Sequence, residues 1–291
     1  MNAIKTEKLT KTYGKSRGIT ELDLTVDEGD FFGFIGPNGA GKSTTIRTLL
    51  GLITQTSGKA EIFGLDTVSD KQEILKQIGY LPSEASLYRT MKVKDMLRFS
   101  ASLRNADCEK EAAALCERLS LDTEKKISEL SFGNRKKTAI VCALQHMPRL
   151  LLLDEPTSGL DPLIQREFYS ILKERNLNGT TVFLSSHVLS EIERYCRRAA
   201  VIREGRLVAC DSVEKLGHTG VKRVTLRKPL TVPDFHGIRD LKSENENVTF
   251  LYSGTADALI RELSLLSFED ITLEDPDLED VFMHYYAKEE N

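Results

Sequence analysis

Residues 31–43, FFGFIGPNGAGKS, join a short apolar run to a glycine-rich loop that ends in lysine and serine. The apolar run Phe31–Ile35 predicts a buried strand, and the spacing of apolar residues after Ser43 predicts a helix that ends near Gly51. Residues 36–43 between them fit the pattern G-x-x-x-x-G-K-S/T. Chance produces such a match in roughly one chain in a hundred of this length. Its position between a strand and a helix therefore indicates a phosphate-binding loop.

This loop supplies the groups that a nucleotide and its metal ion need. Its glycines let consecutive backbone N–H groups turn toward phosphate oxygens, and the following helix adds its positive N-terminal end. Lys42 provides a charge for the outer phosphates, and Ser43 provides a hydroxyl for Mg²⁺. The residues expected to bind nucleotide here are Gly36, Pro37, Asn38, Gly39, Ala40, Gly41, Lys42, Ser43 and Thr44.

A pair of acidic residues lies at the end of a second apolar run. The four leucines at 150–153 are typical of a buried parallel strand, and Asp154 and Glu155 follow them directly. Ligands of open α/β folds bind at the carboxyl ends of parallel strands. We therefore expect Asp154 to hold Mg²⁺ through water and Glu155 to act as the general base that polarises the attacking water. The alternative, an acidic junction on the surface, is disfavoured by the loop upstream.

Strand and helix patterns alternate along the chain and predict an α/β fold around a largely parallel sheet. A composition shift near residues 217–220 indicates a boundary between a nucleotide-binding domain, 1–217, and a small α+β appendage, 218–291. Further strands are predicted at 4–9, 19–26, 181–185 and 199–208, with helices at 88–121, 162–175 and 188–198. The appendage is predicted to have strands at 221–226, 248–252 and 271–273 and helices at 257–266 and 278–286.

Composition narrows the class of protein. The net charge of −4 over 291 residues disfavours nucleic acid as a partner. The five cysteines are widely spaced and form no C-x-x-C pair, so neither a zinc site nor a disulfide framework is indicated. The first ten residues lack a signal-peptide pattern, and no run of about 18 apolar residues occurs. We therefore expect a cytoplasmic protein that reaches a membrane only through a partner.

Several further motifs occur in a fixed order across residues 3–215 and resemble those of the ABC-type ATPases. LSFGN at residues 130–134 is similar to the LSGGQ signature of that family, and SGLD at 158–161 is similar to its D-loop. His187 stands where the family has its switch histidine, and Tyr13 where it has an aromatic residue that stacks on adenine. This ordered agreement is far more specific than any one motif.

The resemblance implies a P-loop NTPase core with an antiparallel β subdomain and a helical signature subdomain. It also implies ATP with Mg²⁺ as the ligand and a head-to-tail dimer, in which each ATP lies between the P-loop of one subunit and the signature of the other. Ser131 and Gly133 would contact the γ-phosphate across the interface, and Asp161 would link the two sites. His187 would hold the γ-phosphate together with the attacking water, so that Glu155, His187 and Lys42 form the catalytic set.

The partners follow from the same resemblance. An integral-membrane permease, encoded separately, would hold the subunit on the inner face of the cell membrane, paired with an identical copy or with a second ATPase. LEDVF at residues 278–282 is similar to a C-terminal segment of bacterial drug, peptide and lantibiotic exporters. A soluble ABC ATPase acting on ribosomes or DNA is the alternative, although it usually carries a second ATPase domain or a long coiled coil. A GTPase is disfavoured because the chain has no N-K-x-D stretch.

Two places leave the interpretation open. Where the family has a glutamine that helps to bind Mg²⁺, this chain has Ser83, followed by Glu84. Either Ser83, through a water molecule, or Glu84 could replace the missing amide. Arg135, Lys136 and Lys137 form a short basic run, for which a solvated helix face is favoured over a phosphate contact.

Overall fold

The computed structural model of the chain describes residues 1–14, 16–104, 106–217 and 221–274, and it divides into two compact units, Met1–Asp211 and Ser212–Asn291. The strands of the first unit are β1 (Asn2–Tyr13), β2 (Ser16–Asp27), β3 (Phe31–Ile35), β4 (Ser57–Ile62), β5 (Leu65–Asp66), β6 (Ile78–Leu81), β7 (Leu150–Asp154), β8 (Thr181–Ser186), β9 (Arg198–Arg203) and β10 (Arg206–Ser212). Its helices are α1 (Lys42–Leu49), α2 (Lys71–Gln77), α3 (Val93–Ser102), α4 (Glu109–Arg118), α5 (Phe132–Leu144), α6 (Pro162–Leu177) and α7 (Leu189–Tyr195).

The main sheet has the strand order β10-β9-β3-β8-β7-β6, and the ladders that join β9, β3, β8, β7 and β6 are parallel. Every residue of β3 and β7 is buried, because parallel strands covered on both faces are apolar throughout. The rings of Phe32 and Phe183 stack at 5.8 Å between β3 and β8. The carboxyl ends of β3, β8 and β7 therefore meet at one edge of the sheet.

An antiparallel sheet in the order β2-β1-β4-β5 belongs to the same unit. The four apolar residues of β2, Ile19, Leu22, Leu24 and Val26, are all buried, as their near-alternation predicts. They share one core with residues of β3 and α1. The predicted α/β core with an antiparallel β subdomain is confirmed.

Helices α3 and α4 each pack against α5. Val93 and Leu97 of α3 are buried, and the Gln145 side chain donates to the Leu97 carbonyl at 3.0 Å. The predicted helix at 188–198 ends earlier, at Tyr195, because Arg198 begins β9. The Arg198 guanidinium pairs with Asp27 at 2.8 Å and Asp30 at 2.9 Å, which holds that strand start against the turn after β2.

The second unit begins with the short helix α8 (Val213–Gly217) and continues with a sheet in the order β12-β13-β11-β14, in which the neighbouring strands are antiparallel. Its elements are β11 (Val221–Arg227), β12 (Ile238–Glu244), β13 (Asn247–Ser253), α9 (Ala256–Leu263) and β14 (Asp270–Glu274). Leu259 and Leu263 of α9 pack with Phe250 of β13 in its core. The polar strand β12 was not predicted, because few of its residues are apolar. The predicted helix at 278–286 and the LEDVF segment lie outside the described residues.

All five cysteines are free. Within the four described ranges, no helix is both long enough and apolar enough to cross a bilayer.

Candidate functional site

The glycine-rich loop connects β3 to α1 in a conformation that requires glycine. Gly41 has φ 112°, and a Cβ there would lie 2.9 Å from Cγ2 of Ile19. A Cβ on Gly36 would lie 2.5 Å from the carbonyl oxygen of Ile202. The loop is therefore closed against β2 and β9, which holds its backbone in the curled form that binds phosphate.

A cavity of about 240 Å³ lies over this loop. Its walls are formed by Gly18, Asn38, Gly39, Gly41, Lys42, Ser43, Thr44 and Glu155. The structure thus brings most of the predicted loop residues together with Glu155 from the end of β7. Gly18 was missed, because it lies in β2 without a motif to mark it.

Three predicted catalytic residues converge at the carboxylate of Glu155, which lines this cavity. The Lys42 side chain is only 5% exposed, donates to the carbonyl of Gly36 at 2.6 Å, and lies 3.4 Å from Oε1 of Glu155. Nδ1 of His187 lies 3.2 Å from the same carboxylate oxygen. Lys42 begins α1, after the loop that follows β3, whereas Glu155 directly follows β7 and His187 directly follows β8. The neighbouring order β3-β8-β7 in the sheet therefore creates the cluster.

Asp154 is buried beside the cluster and has an unused oxygen. Its Oδ1 accepts a hydrogen bond from the Ser185 hydroxyl at 2.8 Å, while its Oδ2 has no hydrogen-bond partner in the described part of the chain. A buried carboxylate oxygen without a partner is costly, and a cation would satisfy it. Together with the Ser43 hydroxyl at the cavity, Asp154 fits the oxygen donors that Mg²⁺ takes in P-loop proteins. Ser185 was missed as the partner of Asp154, because the sequence marks it only as the last residue of the predicted strand at 181–185.

Ser83 is not among the residues that line this cavity, and Glu84 is exposed. The carbonyl of Ser83 accepts a hydrogen bond from Nζ of Lys136 at 2.9 Å. The suggestion that Ser83 or Glu84 takes the place of the usual glutamine stays a prediction.

Lys136 corrects the expectation of a solvated basic face. Its side chain is 2% exposed, and its ammonium donates to the carbonyls of Pro82, Ser83 and Glu155 at 3.0, 2.9 and 3.3 Å. Burial lowers the pKa of this amine to about 8. The expectation was wrong here because the face of α5 that carries Lys136 is turned toward the ends of β6 and β7.

The signature and D-loop residues lie at helix N-termini away from the cavity. Ser131 caps α5 and accepts from the N–H of Asn134 at 3.3 Å, and Asp161 caps α6. A Cβ on Gly133 would lie 2.9 Å from the carbonyl oxygen of Gly159, so the two motifs are adjacent. Ser131 and Asp161 are exposed and line no part of the cavity over their own P-loop. Their contact with a second subunit's nucleotide stays a prediction.

Tyr13 ends β1 and is 43% exposed, with Nζ of Lys11 5.2 Å from its ring centroid. It is absent from the walls of the P-loop cavity. An exposed ring at this position is available for stacking on a base, and its role with adenine stays a prediction.

Comparisons of this chain with protein families, curated proteins and solved structures all find ABC transporters or their ATP-binding subunits. The family described as ABC transporter matches residues 19–158. The "Bacitracin transport ATP-binding protein BcrA" of Bacillus licheniformis is 41% identical over 211 residues, which cover 70% of this chain and 68% of that protein. The "Uncharacterized ABC transporter ATP-binding protein YhaQ" of Bacillus subtilis is 33% identical over 300 residues, covering 95% of this chain and 96% of that protein. A solved "Structure of ATP binding subunit of ABC transporter" matches with a TM-score of 0.70 at 28% identity, covering 74% of this chain and 91% of that one.

Proposed function

Because this chain belongs to the family of ABC transporter ATP-binding proteins and is an ATP-hydrolysing subunit of a transporter, we propose that it powers an exporter of peptide antibiotics. It acts as a head-to-tail dimer, with a second copy or a related ATPase, on the cytoplasmic side of a separately encoded permease. The unit at 1–211 carries the nucleotide chemistry, and the second unit tunes contacts with the dimer partner or the permease.

One observation carries the catalytic part of the proposal: Oε1 of Glu155 lies 3.4 Å from Nζ of Lys42 and 3.2 Å from Nδ1 of His187. Without nucleotide, Glu155 balances the buried charge of Lys42. The outer phosphates of ATP offer Lys42 a stronger partner, which frees the carboxylate to accept a proton from water. His187, whose side chain is 51% exposed, holds that water and the γ-phosphate from the other side.

The residues that would hold Mg²⁺ are Ser43 and Asp154, with Ser83 or Glu84 close to the metal through water. Mg²⁺, when bound, neutralises charge on the β- and γ-phosphates. The Ser185 hydroxyl orients Asp154 from behind, so the unused Oδ2 is available at the strand end.

The exposed signature and D-loop support the dimer. Ser131 and Asp161 stand at the N-termini of α5 and α6, where partial positive charge favours an anion. A triphosphate bound to one P-loop and to the partner's signature bridges the two subunits and shifts them toward the closed form. Hydrolysis removes that bridge.

The 41% identity to a bacitracin transport protein and the LEDVF segment at 278–282 both support an exporter of peptide antibiotics. Co-expression of the chain with the permease encoded beside it should raise the bacitracin concentration that a sensitive host survives. The same pair with Glu155→Gln should give no protection. Protection that is independent of Glu155, or failure to co-purify with any membrane protein, would refute the transport assignment.

The variant Glu155→Gln tests the proposal that Glu155 is the general base. The amide cannot accept a proton, so ATP should bind with near-normal affinity while phosphate release falls by about 100-fold or more. The stalled complex should elute as a dimer in size-exclusion chromatography with Mg-ATP and as a monomer without it.

Lys42→Ala is the matched control, because it removes the other half of the same ion pair. This variant should lose ATP binding and the dimer together. A Glu155→Gln protein that hydrolyses ATP at the wild-type rate would show that Glu155 is not the base.

A further inference from the structure

Lys136 forms a buried connection between the signature helix and two strand ends. It lies in α5, five residues after Ser131, and its ammonium donates to three carbonyls. Two of them, those of Pro82 and Ser83, follow β6, and the third, that of Glu155, follows β7. One side chain therefore ties three segments of the chain together.

The number of donors matches the number of acceptors. An ammonium has three N–H groups, and each has a carbonyl within 3.3 Å. A buried charge is stable only when its donors are used in this way. The carboxylates of Asp154 and Glu155 also favour the positive charge. An apolar side chain could fill the same space without the free energy that burial of a charge costs. We therefore infer that the role of the ammonium is to hold these three carbonyls.

One of the residues that Lys136 holds, Glu155, has an unusual backbone conformation. Its φ of 47° is in the left-handed region, which is unfavourable for a residue with a side chain. The N–H of Glu155 donates to the carbonyl of Ser185 at 3.0 Å, and its own carbonyl accepts from Lys136. Both ends of the residue are therefore held, and this backbone directs the carboxylate toward Lys42 and His187.

We propose that Lys136 is a positioning residue for ATP hydrolysis: it holds the Glu155 backbone in its left-handed conformation and links that backbone to the signature helix and to the Ser83 segment. Removal of the ammonium takes away the donor that Lys136 gives to the carbonyls of Pro82 and Ser83. It leaves the Glu155 carbonyl with the N–H of Ser158, at a longer distance of 3.4 Å. The Glu155 carboxylate then loses its fixed position, while the P-loop remains intact. This inference rests on the assignment of Glu155 as the base.

The first test compares Lys136→Met, which keeps the length of the side chain, with Lys136→Arg, which keeps its donors. For Lys136→Met we expect kcat to fall about 10–100-fold while KM for ATP changes by less than about threefold. Lys136→Arg should recover at least about a third of the wild-type kcat. The neighbouring Lys137→Met, on the same helix but partly exposed, should behave as wild type.

The second test does not depend on activity. Hydrogen exchange of the nucleotide-free protein should become faster at residues 82–86 and 155–160 in Lys136→Met, with no change at 36–44. Wild-type kcat, or unchanged exchange at both segments, would overturn the proposal. A Met variant that unfolds, or loses ATP binding and hydrolysis together, would limit Lys136 to stability and overturn it as well. If Glu155→Gln hydrolyses ATP normally, the assignment of Glu155 as the base fails. The exchange experiment then still tests whether Lys136 holds the segments at 82–86 and 155–160.

Discussion

Replacement of Ser185 by alanine should lower the free energy of unfolding, because it removes a hydrogen bond to the buried carboxylate of Asp154. The Ser185 hydroxyl donates to Oδ1 of Asp154 at 2.8 Å, and the two residues are 0% and 1% exposed. The second oxygen, Oδ2, has no hydrogen-bond partner among the residues that the structure describes. Ser185→Ala therefore removes the side-chain hydrogen bond on which the buried charge of Asp154 depends.

The expected cost follows from the charge of the acceptor. A hydrogen bond to an ionised group contributes about 1.5–3 kcal/mol, compared with about 1 kcal/mol for a neutral pair. For a domain of about 200 residues, each kcal/mol lowers Tm by about 2–4 °C. A cost near 2 kcal/mol thus predicts a Tm about 4–8 °C lower in the absence of nucleotide and metal.

Thermal unfolding followed by circular dichroism measures this difference, and Asp154→Asn supplies the control background. The acceptor in Asp154→Asn is neutral, so Ser185→Ala should cost only about 0.5–1.5 kcal/mol there. A Tm for Ser185→Ala within about 1 °C of wild type would refute the reasoning. An equal cost in both backgrounds would show that the charge of Asp154 is not involved.

Ser83→Gln should raise the rate of ATP hydrolysis or leave it unchanged, because a side chain longer by about 2.5 Å restores a direct amide ligand. Loss of activity in Glu84→Ala but not in Ser83→Ala would assign the role to Glu84, and loss in Ser83→Gln would show a site rebuilt around serine. Burial lowers the pKa of His146 to about 4, so the unfolded chain takes up a proton between pH 6.5 and 4 that the folded chain does not, and stability falls as the pH drops through that range. Urea midpoints at pH 7 and pH 5 should therefore differ less in His146→Gln than in wild type, and an equal difference would contradict this assignment. Deletion of 221–291 should leave a folded unit that binds ATP, as measured by nucleotide titration, and a folded but non-binding product would refute the division between the two units.

Features coded by adjacent residues could be predicted from the sequence. The run Phe31–Ile35, the loop at 36–43 and the leucine strand at 150–153 each carry their own backbone preference and burial pattern, so their structure follows without knowledge of the fold. The ordered motifs also identified the family correctly. The strand β12 escaped prediction because an exposed, mostly polar strand has no apolar alternation to mark it.

Residues whose role depends on a distant neighbour could not be assigned in this way. Lys136 stands in the sequence between two other basic residues, and nothing local distinguishes its buried side chain from an exposed one. In the sequence, Ser185 is only the last residue of the predicted strand at 181–185, and Gly18 is only the residue before the predicted strand at 19–26. In each case the partner lies in another element: the strand ends for Lys136, Asp154 for Ser185, and the P-loop for Gly18.

The sequence by itself determined the family, the α/β fold and the residue types of the nucleotide site, because phosphate binding and strand burial depend on short runs of the chain. Only the tertiary structure decided which of these side chains meet. The order β3-β8-β7 brings Lys42, His187 and Glu155 to one edge of the sheet. The packing of α5 buries Lys136 against the segments that follow β6 and β7. Strand order and helix orientation arise from contacts between elements far apart in sequence, which no local pattern specifies.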